Sequence, residues 1–393
     1  MVFSHIYSYS VTFRKTNEFA GIDLIFSKPQ YLIMQRSSRD AMLMALLAAA
    51  LFGAVVPASR ILLSGIGPVT LAGLLYAGAG MGGLIIWKVE GARKERTESP
   101  IRLPDLPWLI GIIITGSIIG PILCMVGLTT TPASTTSLLL NTELFFTTII
   151  ALLAFREHLG IRGIGAIVTV VSAGLLLSYD PDGLFGLSFG TLLIILACFC
   201  WGLDNNFTRV ISGKDPSVIV IIKGFAAGIF SMSLGYVIGE PFPFGVILPA
   251  AIVVGCLGYG FSIFFVIKSF RVLGSARTGA LFSTAPFLGL LFSLLLLGEY
   301  PGLQVWLSLP LMAIGALLIA SEQHSHFHLH VPFRHEHRHS HDDDHHMHHP
   351  DSAGLIEITH AHPHDHKPVS HTHPHTPDLH HYHDHEDSEQ GHE

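Results

Sequence analysis

Charged residues are scarce: Asp, Glu, Lys and Arg make up 13% of the 393 residues, where a soluble domain carries roughly a quarter. With 49% hydrophobic residues and a mean hydropathy of +0.51, that shortage excludes an ordinary soluble domain and implies a membrane protein. Cysteine is nearly absent as well. Cys124, Cys198, Cys200 and Cys256 all fall in apolar runs, which leaves no disulfide framework. Cys198 and Cys200 stand two apart, on different helix faces, and make no metal pair. There is no GxxxxGK[ST] loop, so ATP drive is not encoded in the chain and an enzyme is not expected. Residues 1–40 lack a continuous apolar h-region and a small-residue cleavage site. They read as an N-terminal extension without regular structure, and the first span acts as its own insertion signal.

What is present is a series of apolar runs. About twenty apolar residues cross the hydrocarbon as a helix, and irregular backbone cannot face lipid. Ten segments qualify: 41–60, 68–88, 106–128, 133–154, 160–178, 187–208, 217–238, 245–268, 276–298 and 302–321. Short connections such as Thr130 to Ala133 make neighbouring spans antiparallel. Counting Lys and Arg on alternate sides gives twenty-one with the two termini and one, Arg60, opposite. Basic residues stay in the cytoplasm, so both termini are expected there, in a multi-pass protein of the cell (plasma) membrane.

The chain also repeats itself. Phe52-Gly53-Ala54-Val55-Val56-Pro57-Ala58-Ser59-Arg60 aligns without a gap to Trp201-Gly202-Leu203-Asp204-Asn205-Asn206-Phe207-Thr208-Arg209, at the ends of spans one and six. Ala151-Leu152-Leu153-Ala154-Phe155-Arg156-Glu157-His158-Leu159-Gly160 aligns to Ser293-Leu294-Leu295-Leu296-Leu297-Gly298-Glu299-Tyr300-Pro301-Gly302, each joining a fourth span to a fifth. Five is odd, so the halves enter the membrane in opposite directions. The predicted fold is an all-α membrane protein, ten transmembrane helices as two inverted five-helix repeats, residues 41–178 and 187–321. Inverted repeats of this kind mark secondary transporters.

On these residues, with Thr284-Ala285-Pro286 in span nine and Trp201-Gly202 in span six, the chain resembles the EamA-type ten-helix members of the drug/metabolite transporter superfamily over residues 41 to 321. The resemblance implies that spans one to four and six to nine surround a cavity, with five and ten peripheral. It specifies the scaffold and not the solute, because such proteins move amino acids, metabolites, nucleotide-linked sugars or drugs. One departure stands out. Where span nine has Ala285-Pro286, the first half reads Thr142-Glu143-Leu144.

Glu143 lies near the centre of span four, where an ionised carboxylate costs on the order of 3 kcal/mol, so it must face a cavity or a partner. Ser134, Ser137, Asn141 and Thr148 form a polar stripe beside it. One reading makes Glu143 a proton-binding or cation-contacting group on the transport path; the other makes it a hydrogen-bonded packing residue. Asp204, Asn205 and Asn206 form a second polar cluster in span six, and Lys223 in span seven stands at the right depth to pair with Asp204. Against a role in transport, Lys snorkels and Asn caps helix ends. Arg277 reads as a topology anchor, and Glu157 and Glu299 as loop or cap residues.

From residue 322 onward the chemistry changes. Twenty-four of the 26 histidines and a net charge of −11 lie beyond Ser321, and the ten spans contain no histidine. His324, His326, His328, His330, His335, His337, His339, His341, His360, His362, His364, His366, His371, His373 and His375 alternate with other residues. In an extended chain that period places them on one side, and neutral imidazole suits zinc, nickel, cobalt or copper. Weak, multi-site metal binding is expected in a cytoplasmic tail, residues 322–393, whose low-complexity composition predicts no regular structure without metal. No cofactor is required. The expected partners are a small-molecule or ion substrate and the lipid bilayer, with no nucleic acid; a homodimer is compatible with the sequence. Three readings compete: a secondary carrier of a small organic solute, a divalent-metal carrier whose tail collects zinc, nickel or cobalt, and a non-transporting membrane metal sensor or scaffold, which the inverted duplication disfavours.

Overall fold

Out of water, a backbone must satisfy its own N–H and C=O groups, so apolar runs of this length become helices. The computed structural model describes residues 28–91, 100–155, 161–184, 187–211, 214–273, 275–320, 324–330, 334–339, 360–365 and 369–375. Among these, eight helices are long and apolar enough to cross a membrane, from Arg39–Leu62 to Ile247–Ser269; Ala285–Leu297 and Leu303–Leu318 are shorter apolar helices.

The spans are less regular than expected. The first comprises α1 (Lys28–Gly53) and α2 (Val55–Leu62), and the second is α3 (Pro68–Gly91). Helices α4 (Leu106–Ile112) and α5 (Gly120–Thr130) are joined by a π-helical stretch, Ile113–Ile119. The fourth divides into α6 (Ala133–Leu139) and α7 (Thr142–Phe155), followed by α8 (Ile161–Ser178) and a short strand, β1 (Tyr179–Leu184). Then come α9 (Phe189–Val210), α10 (Pro216–Val237) and α11 (Ile247–Gly255), the last running through a second π-helical stretch, Cys256–Phe261, into α12 (Ser262–Leu273). The bundle ends with α13 (Ser275–Phe282), α14 (Ala285–Leu297) and α15 (Leu303–Ala320).

The interruptions have local causes and a period. Pro286 sits in the first turn of α14, where its missing N–H costs least. In the fourth span the Asn141 and Thr142 side chains donate back to the Leu138 and Leu139 carbonyls at 3.2 and 2.7 Å, competing with the helix ladder. The two π-helical stretches begin at residues 113 and 256, and the helices after the two breaks begin at 142 and 285. Both offsets are 143 residues, so the halves share their irregularities as well as their sequence.

Small residues bring the halves together. A Cβ on Gly224 of α10 would stand 2.6 Å from the Gly80 nitrogen of α3, and one on Gly228 would meet Ala77. Close backbone approach of this kind replaces the hydrophobic effect as the packing force inside lipid. Helices α8 and α15 pair separately, with Ser308 Oγ donating to the Ala173 carbonyl at 3.3 Å.

The buried core lies toward the end of the bundle where Arg60 stands. One cluster joins Val55, Leu62, Ile66, Leu71, Leu75, Leu128 and Ala133. A second joins Leu138, Leu139, Ala173, Leu290 and Met312. At the opposite end, among the described residues, a smaller cluster joins Leu109, Ile112, Ile211 and Ile219. At the Arg60 end, polar side chains close helix ends across the bundle. Arg60 Nη1 donates to the Leu128 and Thr129 carbonyls at 2.6 and 2.8 Å, capping α5. The Glu240 carboxylate accepts the Val69 and Thr70 N–H groups of α3 at 3.0 and 2.7 Å. Glu299 accepts those of Ala133 and Ser134 of α6, both at 2.8 Å, so the expected cap residue caps another span. At the opposite end Lys214 and Asp105 form an ion pair at 3.2 Å.

Beyond the bundle, the described tail segments are strands in two antiparallel pairs. In β2 (His324–His330) and β5 (Val369–His375), His324, His326 and His328 stand opposite His375, His373 and His371. In β3 (Arg334–His339) and β4 (His360–Asp365), His335, His337 and His339 stand opposite His364, His362 and His360. The composition predicted no regular structure here, but a period of two is also the period of a strand. His341 and His366 lie outside the described residues, as do residues 1–27.

Candidate functional site

The break before Thr142 places Glu143 in the first turn of α7, near mid-span. Its Oε1 accepts a hydrogen bond from Asn205 Nδ2 of α9 at 2.8 Å. The same amide donates to Thr147 Oγ1 at 3.1 Å, and that hydroxyl donates to the Glu143 carbonyl at 2.9 Å. One turn of α7 and one residue of α9 thus form a closed polar knot across the two halves. Asn205 is exposed and Glu143 partly so. A carboxylate at this depth faces water or a solute rather than lipid.

Asp204 and Lys223 form the ion pair expected between spans six and seven, Oδ2 to Nζ at 3.4 Å. Their side chains are 10% and 16% exposed, so the charges neutralise each other in a largely closed position. The π-helical stretch makes room for them, because the Asp204 carboxyl occupies the space that a Cβ on Gly116 would need. That wide turn also turns the Gly116 carbonyl outward, where it accepts Tyr76 Oη at 2.7 Å and Trp201 Nε1 at 2.9 Å. Insertions of this type recur at functional positions. Tyr76 lies within electrostatic reach of Glu143 and Asp204. From it an aromatic row runs through Tyr259, at 5.5 Å between centroids, to Phe52 and Phe282.

The remaining sequence candidates divide. Asn206 Nδ2 donates to the Thr147 and Gly202 carbonyls at 3.1 and 2.8 Å, so it ties α9 to α7 rather than capping a helix. Asn141 is buried and bonded within its own turn. Ser137 is fully buried against Gly289 of α14, on the side of the fourth span that packs rather than the side that carries Glu143. Thr148 donates to the Leu144 carbonyl of its own helix. Three participants escaped the sequence reading: Thr147, Tyr76 and the Gly116 carbonyl. Tyr76 had a signal, as a hydroxyl in the middle of the apolar second span. The π-helical carbonyl had none. Among the described residues, those of the helices and of the tail strands alike, no group of three or more His, Cys, Asp and Glu is placed to hold a metal ion.

The model of the EamA-like transporter family matches the chain twice, over residues 40–179 and 188–321. An uncharacterized transporter of Methanothermobacter thermautotrophicus (strain ATCC 29096 / DSM 1053 / JCM 10044 / NBRC 100330 / Delta H) is 27% identical over 285 residues, covering 68% of this chain and 82% of that protein. A protein of known crystal structure superposes with a TM-score of 0.51 at 18% identity, over 71% of this chain and 95% of its own.

Proposed function

The chain belongs to the EamA-like transporter family, an integral membrane transporter of two repeats, and from that premise we propose a gradient-coupled secondary carrier of a small organic solute. It works by alternating access between two inverted repeats, ten spans in all, with both termini in the cytoplasm. The observation that carries this reading is the Glu143–Asn205 hydrogen bond. A titratable carboxylate of one repeat is held by an amide of the other, in the middle of the bundle. Moving the repeats apart must change that carboxylate's surroundings, which is what coupling a proton to a solute requires. Asn205 supplies hydrogen bonds for the solute, the self-neutralised Asp204–Lys223 pair holds the neighbouring helices together, and Tyr76, Tyr259 and Phe52 supply an apolar wall.

The direct test uses proteoliposomes with an imposed pH gradient, an entrapped pH dye, and a panel of radiolabelled amino acids, amines, zinc, nickel and cobalt. Solute movement accompanied by proton movement, with both lost in Glu143→Gln, is the expected result. Uncoupled solute flux in the unaltered chain would defeat the coupling role, and flux of metal alone would favour the metal carrier.

The tail's metal chemistry is a separate property under this reading. Its support is the register and the chemistry of imidazole: six rungs of the two strand pairs set histidine opposite histidine in the backbone ladder, and neutral imidazole suits zinc, nickel, cobalt and copper.

A further inference from the structure

The first amides of a helix have no partner in their own helix. Most helices answer with a side chain one or two residues upstream, as α10 does: Asp215 Oδ1 accepts from Ser217 and Val218. Helices α3 and α6 have no such local answer. Gly67 precedes Pro68 at the start of α3, and Pro132 stands before Ala133 with no side-chain cap. Their amides are satisfied instead by Glu240 and Glu299, from 171 and 166 residues away. In both cases the helix start belongs to the first repeat and the carboxylate to the second. In both cases the contact lies at the Arg60 end of the bundle, the extracytoplasmic end in the orientation given above.

A local cap is indifferent to how the repeats are arranged; a cap donated across them depends on it. At the Arg60 end, Val69, Thr70, Ala133 and Ser134 are all buried, and the larger core clusters gather there. The described state is therefore closed at the Arg60 end by contacts that cross the repeats.

We propose that Glu240 and Glu299 are the paired bolts of the external gate: each fastens a helix start of one repeat to the other repeat while the carrier is shut to the outside. Both are released when it opens. Release leaves four amides and two carboxylates without partners, which is tolerable only where water enters, so the bolts sit at an aqueous mouth and not against lipid. Glu240 and Glu299 act as positioning residues; they need not touch the solute. This inference rests on the alternating-access reading.

The test places spin labels on T129C and F244C, both exposed positions at the Arg60 end on opposite repeats, in a full-length chain with the four native cysteines replaced by alanine. Distances are measured in lipid nanodiscs. The parent should show a dominant short and a minor long population. Each of E240Q and E299Q should shift the short-to-long ratio by about fivefold, and the double variant by about 25-fold, the scale of a lost helix cap. A parent with both populations and a double variant with the same ratio overturns the bolts and leaves alternating access standing. One population in every version overturns alternating access itself. Should the variants not fold, amide exchange in the unaltered chain decides. One motion releases both bolts, so Val69 and Thr70 should exchange at the rate of Ala133 and Ser134, and rates differing more than tenfold overturn the inference.

Discussion

Glu143 and Asn205 hydrogen-bond at 2.8 Å although 62 residues separate them, and each comes from a different repeat. Neither residue is unusual alone. Together they mark where the halves meet through polar groups instead of glycine and apolar side chains.

Glu143→Gln retains an oxygen for the Asn205 amide but cannot take up a proton. Insertion and thermal stability should stay within about 1 kcal/mol of the parent, while proton-coupled flux falls at least about tenfold. Parallel measurement of melting and of proton-to-solute stoichiometry in vesicles separates the two effects.

Asp204 and Lys223 should depend on each other. Removing one partner leaves a buried charge alone, at a cost of about 3–5 kcal/mol. The double variant D204N/K223Q should be more stable than either single one, as read by unfolding in detergent. Independent, additive losses would show that the pair is not coupled.

Arg60 is the lone basic residue on its side, and its two bonds to the last carbonyls of α5 explain its presence there. Arg60→Ala should cost about 1–3 kcal/mol, because charge-assisted bonds to a helix end are lost. Both bonds come from the single Nη1, and an ammonium also carries more than one N–H on one nitrogen, so Arg60→Lys should recover most of it.

Glycines offer a matched pair. Gly224→Ala drives a methyl into the Gly80 backbone and should destabilise by about 1–3 kcal/mol. Gly279→Ala, also helical but with nothing within 4 Å of the added carbon, should be neutral or stabilising by up to about 1 kcal/mol. Both are read from melting curves of the purified full chain.

The tail should bind zinc, and the binding should weaken as pH falls below neutrality, because a protonated imidazole is no ligand. Titration of the full chain and of a version ending at Ser321 checks this; equal zinc uptake by both would place the sites elsewhere.

How much of this was legible beforehand depended on range. Span limits were readable because hydrocarbon thickness imposes a length on a contiguous stretch. The duplication was readable because Arg60 and Arg209, or Glu157 and Glu299, keep neighbours that align. The Asp204–Lys223 pair was inferred because 19 residues and one short turn fix their depths. The breaks in spans four and nine were not read, since both apolar runs read as continuous helices, although Pro286 stands at the start of α14 and Asn141 before α7. The π-helical stretch at Ile113–Ile119 left no mark, since nothing in Ile-Ile-Thr-Gly-Ser-Ile-Ile prefers a five-residue ladder step. The Glu240 cap was beyond reach, because no local pattern links a loop carboxylate to Val69.

That last distance also governs how the protein is made. At about 5–20 residues per second, roughly 10 to 35 s pass between synthesis of Val69 and of Glu240, which caps it. During that interval the start of α3 has only water or lipid headgroups for its amides. The first repeat therefore leaves the ribosome unfinished, and chains that stop before Glu240 should be recognised and degraded rather than persist as half-transporters.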